Sequence, residues 1–137
     1  MKKIWILAMA SLLTFSSCAM LDFEEAPAPL VPETALAVSI HPHLDARNPN
    51  TILDEEKIAQ VISIIESATP TKRQSNNDTP YADEAYIIRF IATEETVPTY
   101  LYQDEIFFGL VSHWYLEQPY HGIYEISAEN AEILLNM

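Results

Sequence analysis

The chain is poor in cysteine, glycine and basic residues, and each shortage excludes a class of protein. Its 137 residues include a single cysteine, Cys18, which excludes an internal disulfide framework and a cysteine-rich zinc or iron–sulfur site. Two glycines leave no room for a Gly-rich phosphate-binding loop or a collagen-like repeat. Seven basic against 20 acidic residues give a net charge of −13, which argues against nucleic-acid binding because phosphate contacts need lysine and arginine.

The chain has enough apolar sequence to form a packed core. Apolar residues make up 49% of it, which argues against wholesale disorder, and 137 residues fit a single domain. The acidic surface has two interpretations: it keeps the domain soluble, or it attracts a cationic protein or peptide by electrostatic steering.

The first eighteen residues carry the features of an export signal. Lys2 and Lys3 precede an apolar run from Ile4 to Phe15. A bilayer span needs about 20 apolar residues, so this run is too short to cross and has the length of a signal-peptide core. Ser16 and Ser17 then place two small residues before Cys18.

This arrangement resembles the lipobox of bacterial lipoproteins, although Phe15 stands where that pattern prefers leucine. The resemblance implies that the Cys18 thiol takes a diacylglyceryl group and that residues 1–17 are removed as a signal peptide. An ordinary secretory signal cut near Ala19 is the alternative, and an uncleaved anchor is disfavoured by the length of the run. Lipidation predicts a protein anchored to the membrane, on the extracytoplasmic face of the cell envelope.

Residues 18–35 predict an acidic, proline-rich spacer between the lipid and the domain. Pro27, Pro29 and Pro32 favour an extended chain, and no helical or strand periodicity is present. The spacer is interpreted either as a stalk that lifts the domain from the membrane or as an unstructured leader.

Residues 36–137 predict a small α+β domain. Apolar residues recur at helical spacing after Asp54, which is placed to cap a helix that ends before Pro70. Ser127 is placed to cap a short C-terminal helix. Apolar and aromatic runs predict strands near residues 36–40, 84–92, 98–102, 106–117 and 122–126. The predicted fold is an antiparallel sheet of about four to five strands with one main helix packed on it.

Two stretches resemble a small domain family of unknown function found in exported and lipid-anchored bacterial proteins. They are Ser75–Pro80 and Trp114–Tyr124, and the second contains the more specific pattern Glu-Gln-Pro-Tyr-x-Gly-Ile-Tyr. The resemblance covers roughly residues 36–130. It implies a fold type and a location but no activity, because no catalytic or ligand residues are established for the family.

Three sets of polar residues are candidates for chemistry, and each also has a structural interpretation. His41 and His43 with Asp45 have a spacing that suits a metal, but a zinc site needs three or four ligands, so loop histidines are preferred. The Ser75–Asp78 stretch is rich in oxygen donors but lacks EF-hand spacing, so a turn is preferred.

A Ser-His-acid triad is the third candidate. Ser112, His113, Glu117 and His121 are close in sequence, but no strained nucleophile turn accompanies them. We therefore predict that the protein is not an enzyme, with no catalytic residues, no metal and no cofactor.

Aromatic side chains in the strand region offer two interpretations, a binding surface or cross-strand packing. The ligand-binding candidates are Tyr100, Tyr102, Trp114 and Tyr120. The overall prediction is a lipid-anchored binding or interaction domain whose partners are the membrane and a cationic envelope protein, peptide or glycan. The alternative is an acidic inhibitor or immunity-type protein directed at a cationic cell-wall hydrolase.

Overall fold

A computed structural model describes residues 24–106 and 111–137 of the protein. The predicted signal peptide and Cys18 lie outside the described residues. In chain order, the elements are β1 (Ala37–Pro42), β2 (Asn50–Ile52), α1 (Glu55–Glu66), β3 (Thr69–Pro70), β4 (Ala85–Ile91), β5 (Thr99–Ile106), β6 (Val111–Gln118), β7 (Gly122–Ile126) and α2 (Ala128–Leu135).

The strands form one seven-stranded sheet in the order β2-β1-β4-β5-β6-β7-β3, and all neighbouring strands are antiparallel. The prediction of four to five strands with one main helix is therefore wrong, although the fold is α+β. The two unpredicted strands, β2 and β3, contain three and two residues. Segments this short are paired through backbone hydrogen bonds and show no apolar alternation that a sequence pattern could reveal.

Local sequence explains where α1 begins and which side it buries. The Asp54 side chain accepts a hydrogen bond from the backbone N–H of Lys57 at 2.9 Å, as a helix cap does. Ile58, Val61 and Ile65 lie on one face of the helix and are buried. The predicted start of this helix is confirmed.

The closing helix α2 follows the same rule. The Ser127 side chain accepts from the backbone N–H of Asn130 at 3.1 Å, and Ala131 and Leu134 are buried. Its eight residues make it the shorter of the two helices. Both helices contribute to the main hydrophobic core against one face of the sheet.

Successive residues of β5 point to opposite faces of the sheet, and a separate apolar cluster lies on each face. Leu101 belongs to the main core with the helices. Tyr102 instead packs with Tyr115 and Ile123 in a smaller cluster on the other face. We call these the helix face and the tyrosine face.

The described part of the predicted spacer lies against the domain. The backbone N–H of Ala26 donates to Thr71 O at 3.0 Å, and that of Leu36 donates to Ile91 O at 2.7 Å. Between them, the buried amide of Gln118 accepts from Leu30 N–H at 2.8 Å and donates to Leu30 O at 2.6 Å. Residues 26–36, which we call the strap, are thus hydrogen-bonded to the sheet.

Within residues 24–106 and 111–137, no helix combines the length and apolar character that crossing a bilayer requires.

Candidate functional site

A cleft forms where β4 begins later than its neighbours. The first residue of β4, Ala85, pairs with Tyr102 of β5, whereas β5 continues to Ile106 paired with β6. On the other side, the chain after β1 reaches the same level, because His43 N–H donates to Ala85 O at 2.7 Å. The space beyond the start of β4 is bounded by residues 80–84, which lead into the strand.

This β4 cleft has a volume of about 690 Å³, within the range of about 300–1,000 Å³ typical of ligand sites. A smaller hollow of about 280 Å³ adjoins it and is lined by Pro42 and Leu44. Aromatic and acidic side chains dominate the lining of the cleft: Tyr81, Tyr86, Trp114, Asp83, Glu84 and Asp104.

The cleft is electrostatically negative. Asp83 and Glu84 are exposed, and no lysine or arginine lines the cleft among the residues that the structure describes. Asp104 is partly neutralised, because the Arg73 guanidinium lies 3.1 Å from its carboxylate. The same guanidinium lies 4.7 Å from the centre of the Tyr115 ring, a cation–π contact next to the cleft.

The four aromatic residues predicted to bind a ligand lie in three different places. Trp114 is partly buried on the helix face and lines the β4 cleft. Tyr100 and Tyr102 are 4% and 3% exposed, on the tyrosine face. Tyr120 is 67% exposed at the opposite end of β6. The four side chains therefore do not line a common groove, and of these four only Trp114 lies in the cleft.

Tyr102 takes part in a buried hydrogen-bond cluster. Its hydroxyl donates to Glu117 Oε2 at 3.2 Å, and Ser75 Oγ donates to Glu117 Oε1 at 2.7 Å. Burial, followed by the nearby Glu117 charge, raises the pKa of Tyr102 above its usual value. The Ser75 contact ties residues 71–84 to the tyrosine face, which is a structural role.

Tyr120 occupies a strained position in the β6–β7 turn. His121 N–H donates to Gln118 O at 3.0 Å, and Tyr120 has a φ of 58°. With Pro119 before it, this is the arrangement of a type II turn, whose third position favours glycine. The positive φ of this turn therefore falls at Tyr120 and not at the nearby Gly122.

The residues of the suggested triad are not assembled. His113 Nδ1 lies 2.6 Å from Glu125 Oε1, and His121 Nε2 lies 2.9 Å from the carbonyl oxygen of Ala28. Glu117 binds Ser75 and Tyr102 instead of either histidine.

Two of the residues considered for metal binding contact other partners. The His43 ring packs edge-on against Tyr100, with centroids 5.2 Å apart, and Asp45 pairs with Arg47. No group of three His, Cys, Asp or Glu side chains suitable for a metal occurs in residues 24–106 and 111–137.

Sequence analysis did not identify Asp83, Glu84 and Tyr86 as site residues. Asp83 and Glu84 end a polar, turn-rich stretch and Tyr86 lies at the start of β4, so nothing local distinguishes them. Their importance comes from the register of β4 against β5, which brings Tyr86 opposite Leu101 and next to Trp114 in the cleft.

The chain is similar to one solved structure and to one family model. The NMR structure of a protein from Ruminococcus gnavus matches with a TM-score of 0.58 and 25% sequence identity, covering 76% of this chain and 99% of that one. No curated protein matches the chain. Residues 31–125 match the family model DUF5301, described as "Domain of unknown function (DUF5300)". Because this match spans well over half of the sequence, the chain belongs to that domain family of unknown function.

Proposed function

We propose that the protein is a binding domain held by lipid at the extracytoplasmic face of the cell membrane, and that it captures a cationic ligand in the β4 cleft. The anchor is supported by the basic start, the 12-residue apolar run Ile4–Phe15 and the small residues before Cys18. The ligand is supported by one observation above all: a cleft of about 690 Å³ that combines acidic and aromatic side chains.

Two attractive forces act on a cation in this cleft. The Asp83 and Glu84 carboxylates attract it by charge, and the faces of Trp114 and Tyr86 attract it through their ring quadrupoles. The net charge of −13 adds a long-range field that favours the approach of cations over anions.

A binding role is favoured over catalysis by the way the reactive side chains are used. His113 is paired with Glu125, and Glu117 is held by Ser75 and Tyr102. A general base needs hydrogen-bond reach to its nucleophile, and these pairings direct the candidate groups to other partners.

The lipid anchor keeps the domain near the membrane in this proposal. Ala26 is the first strap residue hydrogen-bonded to the rest of the domain, so seven residues, 19–25, lie between Cys18 and the strap. The eight residue steps from Cys18 to Ala26 reach at most about 26–29 Å in a fully extended chain.

The Cys18→Ala variant tests the anchor. Wild-type protein is expected in the detergent-rich phase of a Triton X-114 separation, with mass spectrometry showing an acylated amino-terminal cysteine. Cys18→Ala is expected in the aqueous phase. An unacylated amino terminus downstream of Cys18 in the wild type would contradict this part of the proposal.

Titration with acetylated, amidated tetralysine tests the ligand. Once residues 1–17 are removed, Trp114 is the single tryptophan, so its fluorescence reports directly on the cleft. We expect a saturable change in emission that the double variant Asp83→Asn, Glu84→Gln weakens about tenfold or more.

The matched control is Glu24→Gln, Glu25→Gln, which removes the same charge from two exposed residues of the N-terminal segment. Equal weakening by both double variants would show a general charge effect, and the cleft would then not be the site.

A further inference from the structure

The edge of β5 that faces the β4 cleft is open. Gln103 and Asp104 pair with Trp114 and His113 of β6 on one side. On the β4 side, strand pairing ends at Tyr102, and no other backbone hydrogen bond reaches residues 103–106 from the described part of the chain. In an antiparallel sheet, alternate residues direct both N–H and C=O to the same side. Every second residue of 103–106 thus directs a backbone donor and acceptor to the β4 side, where the described part of the chain offers them no backbone partner.

The opening lies beyond the ends of both β4 and β1. β4 begins at Ala85 and β1 ends at Pro42, opposite Tyr86, so among the described residues no strand runs beside residues 103–106 on that side. A strand added there would lie about 4.7–4.9 Å from β5. Residues 80–84, which precede Ala85, are not part of a strand, and a cavity lined by these residues, Gln103 and Asp104 lies next to β5.

Side chains on the two faces of this opening differ. Gln103 and Trp114 are cross-strand partners on the helix face, with Tyr86 nearby, whereas Asp104 points to the tyrosine face. A strand placed here would direct alternate side chains to the aromatic rings and to the carboxylate.

We propose that the ligand of the cleft is an extended, cationic peptide segment that adds to β5 as a short strand. This inference rests on the cation-binding function proposed above and names its ligand class. Backbone hydrogen bonds to β5 supply affinity, and lysine or arginine side chains meet Trp114 on one face and the acidic residues Asp83, Glu84 and Asp104 elsewhere in the cleft.

Charged residues also have another use at a strand edge, because they prevent the edge from pairing with a second copy of the same chain. If preventing such pairing were the whole role of the acidic residues, a cationic peptide would bind through charge alone, without backbone hydrogen bonds to β5. A test must therefore separate charge from backbone pairing.

The experiment uses the mature chain that begins at Cys18, in which Trp114 is the single tryptophan, in detergent with three probes. The first is the hexapeptide acetyl-Lys-Val-Lys-Val-Lys-Val-amide, the second is the same peptide methylated at every backbone nitrogen, and the third is spermine. Methylation keeps the charge and removes the backbone donors, and spermine is a cation with no peptide backbone. Trp114 emission measures binding, and hydrogen–deuterium exchange measures protection of residues 99–106.

We expect the unmodified hexapeptide to bind about tenfold or more tightly than its methylated form, since the methylated form loses backbone hydrogen bonds. It is also expected to slow exchange in residues 103–106, whereas spermine is expected to change Trp114 emission without this protection.

Equal binding of the two hexapeptides, or binding without protection of residues 103–106, would overturn strand addition and leave cation binding intact. If none of the three probes alters Trp114 emission, the proposed cation-binding function fails as well. The Asp83→Asn, Glu84→Gln variant is expected to weaken the binding of all three probes. The Glu24→Gln, Glu25→Gln control is expected to weaken the binding of each probe less than this variant does.

Discussion

The hydroxyl of Tyr124 is fully buried and has no hydrogen-bond partner among the described residues. A buried polar group without a partner loses its hydration and gains nothing in return. Tyr124→Phe removes this hydroxyl and keeps the ring, so we expect the free energy of unfolding to rise by about 1–2 kcal/mol at pH 7. Chemical denaturation measures it, and a loss of stability would show that the hydroxyl has a partner in solution.

The same residue predicts a stability change in alkaline solution. Burial raises the pKa of Tyr124 from the ordinary value of 10.0 to about 12. The folded state therefore favours the neutral phenol, so this group leaves stability independent of pH below pH 10 and lowers it as the pH rises from 10 toward 12. Unfolding measured across this window should show a shallower decline for Tyr124→Phe than for wild type. Parallel declines in the two proteins would contradict the assignment to Tyr124. Tyr102, another buried tyrosine with a raised pKa, is present in both proteins and so does not affect the comparison.

Gly122 is required for close packing. A Cβ at this position would overlap the Cβ of Ala26 and lie 2.8 Å from the Tyr124 hydroxyl oxygen. Gly122→Ala is expected to lower the free energy of unfolding by about 1–3 kcal/mol, the usual cost of overpacking. Adding Ala26→Gly should restore part of the loss. If the second substitution restores nothing, the strap does not dock on Gly122 in solution.

At the scale of elements, one buried amide binds the middle of the strap. Gln118 binds both backbone groups of Leu30, and its Nε2 donates to Thr99 Oγ1 at 3.0 Å. Gln118→Ala leaves these buried groups without partners, so we expect a loss of about 1–3 kcal/mol in unfolding free energy. Limited proteolysis within residues 26–36 should also become faster.

Gln103→Ala is the matched control for Gln118→Ala. Gln103 is an exposed strand residue that donates to Ser112 Oγ at 2.9 Å, so its loss should cost well under half as much. Equal effects of the two substitutions would argue that the strap contributes no special stabilisation.

Prediction of elements from sequence succeeded where the pattern is local. Apolar residues at helical spacing after Asp54 identified α1, and Ser127 identified the start of α2. β2, β3 and the strap were missed, because their conformation is decided by partners distant in sequence. Thr69, for instance, pairs with Glu125, and Leu30 is bound by Gln118.

At the scale of the whole molecule, charge should govern ligand binding. The net charge of −13 acts through solvent, and salt reduces the screening distance from about 10 Å at 0.1 M to about 3 Å at 1 M. We expect the Kd of tetralysine, followed by Trp114 emission, to rise about tenfold or more over that range. A Kd independent of salt would show that the aromatic rings and not the carboxylates dominate recognition.

The candidate site was predicted only in part from the sequence. Aromatic residues in the strands suggested a binding surface. Alternation along β5 places Tyr100 and Tyr102 on the tyrosine face, where both are buried. Trp114 reached the cleft because its partner Gln103 lies beyond the start of β4. Strand alternation is visible in sequence, but the offset between neighbouring strands is not.

Composition, charge and the two helix caps were determined by the sequence alone, because each depends on residue type or on contacts within one turn of helix. The order of seven strands, the docking of residues 26–36 and the cleft at the start of β4 were decided by tertiary structure. Backbone hydrogen bonds between strands are nearly independent of residue type, so the place where one strand ends and its neighbour continues is set by the packing of the whole sheet.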